Sequence, residues 1–506
     1  MDQAVQQWIQ GFAVAMSPTN LLFAFVGCLL GTVVGVLPGL GPAAAMAILI
    51  PITFNLEPTP AIIMISALYY GTQYGGTITS VLVNVPGEST SVVTCLDGFQ
   101  MAKQGRGGTA LGIASIGSFV GGTFGTLALM VMALPLASFA LRFGPPEMFS
   151  LLLAGLTLVT ALGGSSLPAA LLMTVFGLAL SMIGIDPLHG LPRFTFGIPE
   201  LYDGVGLVPM VMGLFGVGEL LASLENPNQQ VVKTSLSNLF PSREEWGRAS
   251  RAIGRGTVVG FFLGLIPGIA GIIPTFVAYV LEKRVSKHPE RFGTGVIEGV
   301  ASPESANNAY AQASMVPLFT LGIPGTASLA VLMGAFMING ITPGPFLFKE
   351  HADVVWGVIA SFYVGNVMLL ILNLPLVSLW AKLLEIRYEY LYPGILVFCV
   401  IGAYSLKQSV FDVGLMLSFG LMGYVCRKLR WPLAPAVLAL ILGPMLEKSL
   451  RSALDLSGGD FSVFFTSPIS ATLLAVAAII LVSSFARKAR SRGRLLGGVA
   501  EAEVSR

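Results

Sequence analysis

The sequence predicts an all-α polytopic membrane protein made of two inverted repeats with re-entrant or broken helices, plus one extra C-terminal span. Three observations lead there. The 506-residue chain is 54% hydrophobic and only 11% charged, whereas a soluble domain carries about 25% charged residues. Apolar runs of about 20 residues, the length a bilayer requires, recur along it. A short apolar run broken by Pro-Gly occurs four times, as VLPGLGP (residues 36–42), NVPGEST (84–90), LIPGIAG (265–271) and LGIPGTAS (321–328). Proline removes a backbone donor and clashes with the preceding turn; glycine tolerates whatever dihedrals the break needs. Backbone groups freed in hydrocarbon are costly, so broken helices persist only where protein buries them or a watery cavity meets them. Four breaks in two matched pairs predict a binding site built from helix ends.

The remaining composition narrows the class. Period-2 alternation is missing, which argues against an outer-membrane barrel. Net charge is +2 and says little. Cys28, Cys95, Cys399 and Cys426 are scattered, with no C-x-x-C, and read as small buried hydrophobes. The first ten residues are polar without a basic stretch, so no cleavable signal peptide is expected.

In chain order, residues 1–20 form an N-terminal interfacial segment with a helix over 4–15. The first repeat half covers residues 21–225. Its arms, 21–37 and 43–54, flank the first break as a re-entrant hairpin or one bent crossing. Residues 61–85 run into the second break, and the chain emerges at a turn, DGFQMAKQGRGG (97–108). Spans follow at 114–141, 148–162, 167–183 and 205–224. Residues 226–255, holding Lys233, Arg243, Arg248, Arg251 and Arg255, read as a cytoplasmic linker.

The second half, residues 256–455, begins with arms at 257–267 and 269–281 around the third break. A polar loop (282–292) follows, then 306–321 up to the fourth break and 328–341 beyond it. Spans at 354–379, 391–404, 413–424 and 432–446 mirror the first half. Residues 456–506 supply a last span, 469–485, and a basic tail, 487–494. The repeat is visible in residues: Ser118-Phe119-Val120-Gly121 against Ser361-Phe362-Tyr363-Val364-Gly365, Leu134-Pro135-Leu136 against Leu374-Pro375-Leu376, Phe176-Gly177-Leu178 against Phe419-Gly420-Leu421, and Glu219 against Glu447. The offset, about 230–245 residues, is that of a duplicated transporter half. Placing the basic loops 243–255, 283–291, 427–430 and 487–494 in the cytoplasm gives each half an odd number of crossings. The halves then have opposite topology.

A break followed by small or hydroxylated residues leaves a half-helix N-terminus carrying roughly +0.5 charge, which suits an anion. Glu88-Ser89-Thr90-Ser91 and Thr326-Ala327-Ser328 are placed to cap such ends. Carbonyls left free before Pro86 and Pro324 suit Na⁺. The substrate-binding candidates are Asn84, Gly87, Ser89, Thr90, Asn307, Asn308, Gly325 and Thr326. The cation-binding or helix-break candidates are Pro38, Gly39, Gly41, Pro86, Glu88, Pro267, Gly268, Glu304 and Pro324. Tyr74, Thr77, Thr79 and Ser80 make a hydroxyl-rich approach to the second break. Intramembrane amides and carboxylates are functional candidates by default, although each alone serves equally well as a cap or interhelical tie. One proline alone is usually a mere kink; it is the two-fold pattern that favours a site. Gly31-x-x-x-Gly35 and Gly117-x-x-x-Gly121-x-x-x-Gly125 read as close helix packing.

There is no G-x-x-x-x-G-K-[ST], no H-E-x-x-H and no G-x-S-x-G, and His189, His288 and His351 stand in separate loops. No enzyme, cofactor, metal cluster or nucleic-acid partner is expected. The two rivals are tractable. An anion channel or uniporter without cation coupling would need a continuous polar pore, and no span has a charged face. A membrane enzyme would need clustered His, Asp or Cys.

Taken together, VLPGLGP, NVPGEST with DGFQMAKQGRGG, PESANNA (303–309) and TLGIPG with NGITPGPFLF (339–348) resemble the large membrane subunit of the tripartite tricarboxylate transporters, the TctA family. The resemblance covers residues 21 to about 455; the third break departs from it in carrying Ile and Ala within LIPGIAGIIPTF. It implies a secondary transporter of the bacterial inner membrane that imports carboxylates, citrate-like or other organic acids, on a Na⁺ or H⁺ gradient. It further implies a small membrane subunit and a periplasmic solute-binding protein as partners.

Overall fold

A computed structural model of the protein describes residues 2–37, 41–162, 166–186, 189–225, 236, 238–384 and 388–484. Pro38, Gly39, Lys233 and the basic tail lie outside the described residues. Among the described residues the chain is helical almost throughout, with one two-stranded ribbon, Gly184–Ile185 paired antiparallel with Pro192–Arg193. Among the described residues, Pro18–Val36, Gly107–Ala140, Ala352–Asn373 and Val410–Lys428 are long and apolar enough to cross a membrane, and shorter apolar helices accompany them. An all-α multi-pass membrane protein is what the composition predicts.

The first half opens with α1 (Asp2–Ala15) and α2 (Pro18–Val36). The Ser17 hydroxyl caps α2 by accepting from the Asn20 amide at 3.4 Å, with proline in the first turn where its missing N–H costs nothing. After the first break comes α3 (Pro42–Leu49), which runs into a 3₁₀ turn, Ile50–Asn55. Eight residues of helix rise about 12 Å, far short of a hydrocarbon core of about 30 Å. Next, α4 (Pro58–Val83) reaches the second break, a 3₁₀ turn (Ser89–Ser91) follows, and α5 (Thr94–Lys103) and α6 (Gly107–Ala140) continue. Then come α7 (Pro145–Leu162), α8 (Leu167–Ser181), α9 (Leu207–Val211), a π-helical segment (Met212–Val217) and α10 (Gly218–Ser223).

The second half starts with α11 (Arg243–Gly264). Its first three turns occupy sequence read as linker. A capping box explains this: the Ser242 hydroxyl accepts from the Glu245 amide, and the Glu245 carboxylate accepts from the Ser242 amide at 3.0 Å. There follow α12 (Ile272–Val285), α13 (Glu298–Ala313), α14 (Met315–Leu321), α15 (Ala327–Ile338), α16 (Leu347–Glu350) and α17 (Ala352–Asn373). The chain closes with α18 (Val377–Leu383), α19 (Tyr388–Lys407), α20 (Val410–Lys428), α21 (Ala434–Leu456), α22 (Val463–Thr466) and α23 (Pro468–Ser484).

The second and fourth breaks share local backbone features. The second and fourth breaks both start with a left-handed residue, Asn84 at φ 60° and Gly322 at φ 69°. Both then carry an extended residue after Pro-Gly, Glu88 at φ −146°, ψ 169° and Thr326 at φ −141°, ψ 165°. Two helix pairs pack closely through glycine faces. Gly27, Gly31 and Gly35 bring α2 onto the α4 backbone, and Gly256, Gly260 and Gly264 bring α11 onto α13; a Cβ at any of the six would strike the facing helix. Gly117, Gly121 and Gly125 likewise seat α6 against α13.

The chain forms two compact units, Met1–Leu141 with Gly206–Lys428, and Arg142–Val205 with Leu429–Arg506. At the centre of the first, α4 is buried from Pro60 to Val83 and α13 from Gly299 to Ala313. Both are rich in hydroxyls and amides, which membrane depth tolerates only inside protein. The outer helices turn apolar side chains outward: Leu127 and Val131 of α6 and Phe262 of α11 are more than half exposed. In the second unit, α7 and α8 pack on α21. Glu447 holds Arg193 at 2.7 Å and Arg451 at 2.6 Å, and Arg451 reaches Asp186 at 3.2 Å.

Candidate functional site

The four breaks meet inside the first unit. Gly87 of the second break lies where a Cβ would strike the Gly35 carbonyl, just before the first break, and sit 2.7 Å from the Thr79 hydroxyl. Gly325 of the fourth break backs on the third, its Cβ position 3.3 Å from the Gly268 amide nitrogen and 3.4 Å from Pro267 Cα. Gly271, after the third break, abuts the Thr90 methyl, beyond the second. Backbone freed by these breaks finds partners. The Ile269 carbonyl accepts from the Tyr310 hydroxyl at 2.6 Å, the Phe319 carbonyl from the Gly344 amide at 3.2 Å, and the Gly76 carbonyl from the Gly87 amide at 3.4 Å. Gly268 at φ 84° and Gly322 at φ 69° occupy the left-handed region that glycine enters freely.

Between the breaks lies a cavity of about 400 Å³. Three helices begin on its wall: α3 after Gly41, α12 after Gly271 and α15 after Thr326. The Thr326 hydroxyl caps α15, accepting from the Leu329 amide at 3.2 Å; Gly41 and Gly271 have no side chain to cap with. The first-turn residues Ala43, Ala44, Ala327 and Ser328 border the space. Three positive dipole ends around one hollow make an environment for an anion.

The wall also holds Arg427, in the last turn of α20, ion-paired with Glu219 of α10. Arg427 is the cavity's one basic side chain among the described residues. The π-helical segment immediately before α10 delivers Phe215 and Glu219 to the same wall, a use of wide turns that recurs at functional sites.

A buried polar network runs inward from the cavity wall. Glu88, 8% exposed, accepts from the Thr90 hydroxyl and from Asn307 Nδ2 at 3.4 Å. Thr90 also reaches Gln73 Oε1 at 3.0 Å. Glu304, fully buried, accepts from the Thr77 hydroxyl at 2.7 Å and from the Thr94 hydroxyl. Asn307 Oδ1 and Gln312 Oε1 are buried acceptors with no hydrogen-bond partner. No three His, Cys, Asp or Glu side chains among the described residues gather as a metal cluster.

Of the sequence candidates, Gly41, Pro86, Gly87, Glu88, Ser89, Thr90 and Thr326 line the cavity. Asn307 and Glu304 belong to the buried network. Pro267, Gly268, Pro324 and Gly325 frame the third and fourth breaks without forming the wall. Asn308 donates to the Glu304 carbonyl at 3.2 Å within α13. Asn84 is exposed and ends α4 in the left-handed conformation, which asparagine tolerates better than most residues. The expectation that Glu88 to Ser91 cap a half-helix differs from the structure. Only a 3₁₀ turn, Ser89–Ser91, starts there, the next α-helix waits until Thr94, Glu88 makes no side-chain capping bond, and the Ser91 hydroxyl donates to the Glu88 carbonyl at 3.0 Å.

Sequence reading missed Arg427, Glu219, Tyr310 and Gln73. It also missed Asp97, within the motif read as a turn. The Asp97 carboxylate accepts from the Tyr279 hydroxyl at 2.8 Å and from the amides of Gly293, Gly295 (2.7 Å) and Val296 (2.9 Å), pinning the loop before α13 to α5. Glu219 carried one signal, its expected match to Glu447 in the sequence.

Fold and cavity together define a multi-pass membrane protein whose broken helices open on one hollow suited to an anion. The chain belongs to the Tripartite tricarboxylate transporter TctA family, whose family model matches residues 21–438. It is 47% identical over 483 residues to an uncharacterized 52.8 kDa protein in the TAR-I ttuC' 3' region of Agrobacterium vitis, a match covering 95% of this chain and 96% of that protein. An uncharacterized protein in the TAR-II ttuC' 3' region of the same organism is 46% identical over 233 residues, 46% of this chain and 96% of the relative. No solved structure matches the chain.

Proposed function

We propose that this protein is the large subunit of a cation-coupled carboxylate importer of the bacterial inner membrane, and that its substrate binds in the cavity bounded by the four breaks. The observation that carries this reading is the meeting of three helix N-termini and Arg427 around one space. Arg427 supplies a planar fork for one carboxylate of the substrate. The amides at the starts of α3 and α15, with Ser89 and Ser328, take another.

The charges in the wall argue for coupling. One guanidinium faces two carboxylates, Glu88 and Glu219. A di- or tricarboxylate entering that wall meets repulsion unless a proton or a cation enters with it. Glu88, the unpartnered Asn307 Oδ1 and the Thr90 hydroxyl offer the oxygens a Na⁺ ion requires; Glu304 offers a buried acceptor for a proton. We read the two halves as inverted in the membrane, supported by their odd crossing numbers and the placement of basic loops. Movement of the broken-helix region against the outer helices then alternates access. A small membrane subunit and a periplasmic solute-binding protein complete the system and deliver substrate.

Proteoliposomes holding the chain with its small subunit test this. Accumulation of a tricarboxylate is expected to need the binding protein on the outside and an inward Na⁺ or H⁺ gradient. Equilibration that follows concentration alone, with no response to either gradient, would favour an anion channel or uniporter instead.

A further inference from the structure

A second cleft, of about 390 Å³, lies between α11 and the loop after α12. Arg248, Arg251 and Arg255 reach it from one face of α11, and Lys287 and Arg291 from the loop. Two of these five charges are neutralised. Arg255 makes a two-pronged contact with Glu282, at 2.6 and 2.8 Å, and Arg248 approaches Glu298 at 3.3 Å. Arg251, Lys287 and Arg291 have no ion-pair partner among the described residues and are exposed. Three unpaired cations around one hollow repel one another, and an anion with several oxygens relieves that repulsion.

The cleft's position selects the anion. Beyond Arg255, α11 turns apolar, and Val258 and Phe262 stand 48% and 62% exposed within two turns. On α12, Val280 and Val285 are likewise exposed. Such a change from basic to outward-facing apolar side chains is the pattern of a membrane–water interface. We propose that this cleft binds the phosphate of an anionic phospholipid headgroup, whose acyl chains run along the exposed faces of α11 and α12. The bound headgroup holds together the two arms of the third break. The proposal does not depend on what the central cavity carries.

Native mass spectrometry of the full chain, released from nanodiscs holding equal phosphatidylglycerol and phosphatidylcholine, tests it. The wild type is expected to retain the anionic lipid in about five-fold or greater excess, and a variant carrying Arg251→Gln, Lys287→Gln and Arg291→Gln to retain the two about equally. A variant carrying Arg251→Lys and Arg291→Lys keeps the charge and is expected to keep most of the preference, which separates lost charge from lost fold. Retention in excess inorganic phosphate identifies the lipid as occupant, while displacement by it identifies a soluble phosphate with the same chemistry and overturns the lipid assignment. No preference in the wild type, or an unchanged preference in a triple variant that melts normally, would overturn the site.

Discussion

With Arg427 replaced by glutamine, uptake of a carboxylate falls about 10- to 100-fold, since one charge-assisted hydrogen bond contributes about 1.5–3 kcal/mol. The side chain is 30% exposed and is held by Glu219, so it is ordered yet reachable. Removing it takes away the cavity's one described cation and leaves Glu219 facing the substrate unopposed. Initial rates over a range of substrate concentrations read the effect, which is expected mainly as a raised KM. Arg427→Lys keeps the charge but loses the fork, and falls between the two. Adding Glu219→Gln to Arg427→Gln removes the unopposed charge and is expected to recover part of the loss. A glutamine variant that folds and transports at the wild-type rate would remove Arg427 from the site.

The second large effect belongs to Glu304. This carboxylate sits at 0% exposure on α13 and receives hydroxyls from Thr77 of α4 and Thr94 of α5. It therefore ties the two central helices to the segment after the second break. Glu304→Leu discards both hydrogen bonds and strands the buried Thr94 hydroxyl, while Thr77 retains the Gln73 carbonyl at 3.3 Å, a cost of about 2–4 kcal/mol. That is a large share of a typical stability of about 5–15 kcal/mol. The protein is expected to melt well below wild type in detergent. Glu304→Gln keeps the size and one acceptor oxygen, but it cannot take up a proton. It is expected to melt much closer to wild type and to equilibrate substrate without accumulating it against a gradient. Full gradient-driven accumulation by that variant would exclude Glu304 from coupling.

What the sequence revealed divides along physical lines. The four breaks were legible because Pro-Gly inside an apolar run interrupts the one hydrogen-bonded ladder a membrane segment has. The glycine stripes on α2 and α6 were legible because a bare face is needed where helices touch. Glu88, Ser89, Thr90 and Thr326 were legible as polar residues beside those breaks. Arg427 was not. It lies some hundred residues from the nearest break and sits in a basic run, Arg427 to Arg430, whose usual meaning is a cytoplasmic loop. Only the packing of α20 beside the π-helical segment turns it to the cavity. Asp97 was hidden in the same way, since a loop near 293–296 must fold back before the carboxylate has amides to accept from. Asn84 shows a structural use the motif did not reveal: it ends α4 in the left-handed conformation. The start of α11 inside a polar stretch was visible in principle, through Ser242 and Glu245 three residues apart.

The central claim is that these interrupted helices share one carboxylate site. A cryo-EM map of the protein in nanodiscs with a tricarboxylate such as citrate tests it most directly. The account predicts ligand density against Arg427, bounded by residues 86–90 and the first turns of α3 and α15. Density elsewhere, or helix interruptions that face lipid with no hollow in common, would contradict it.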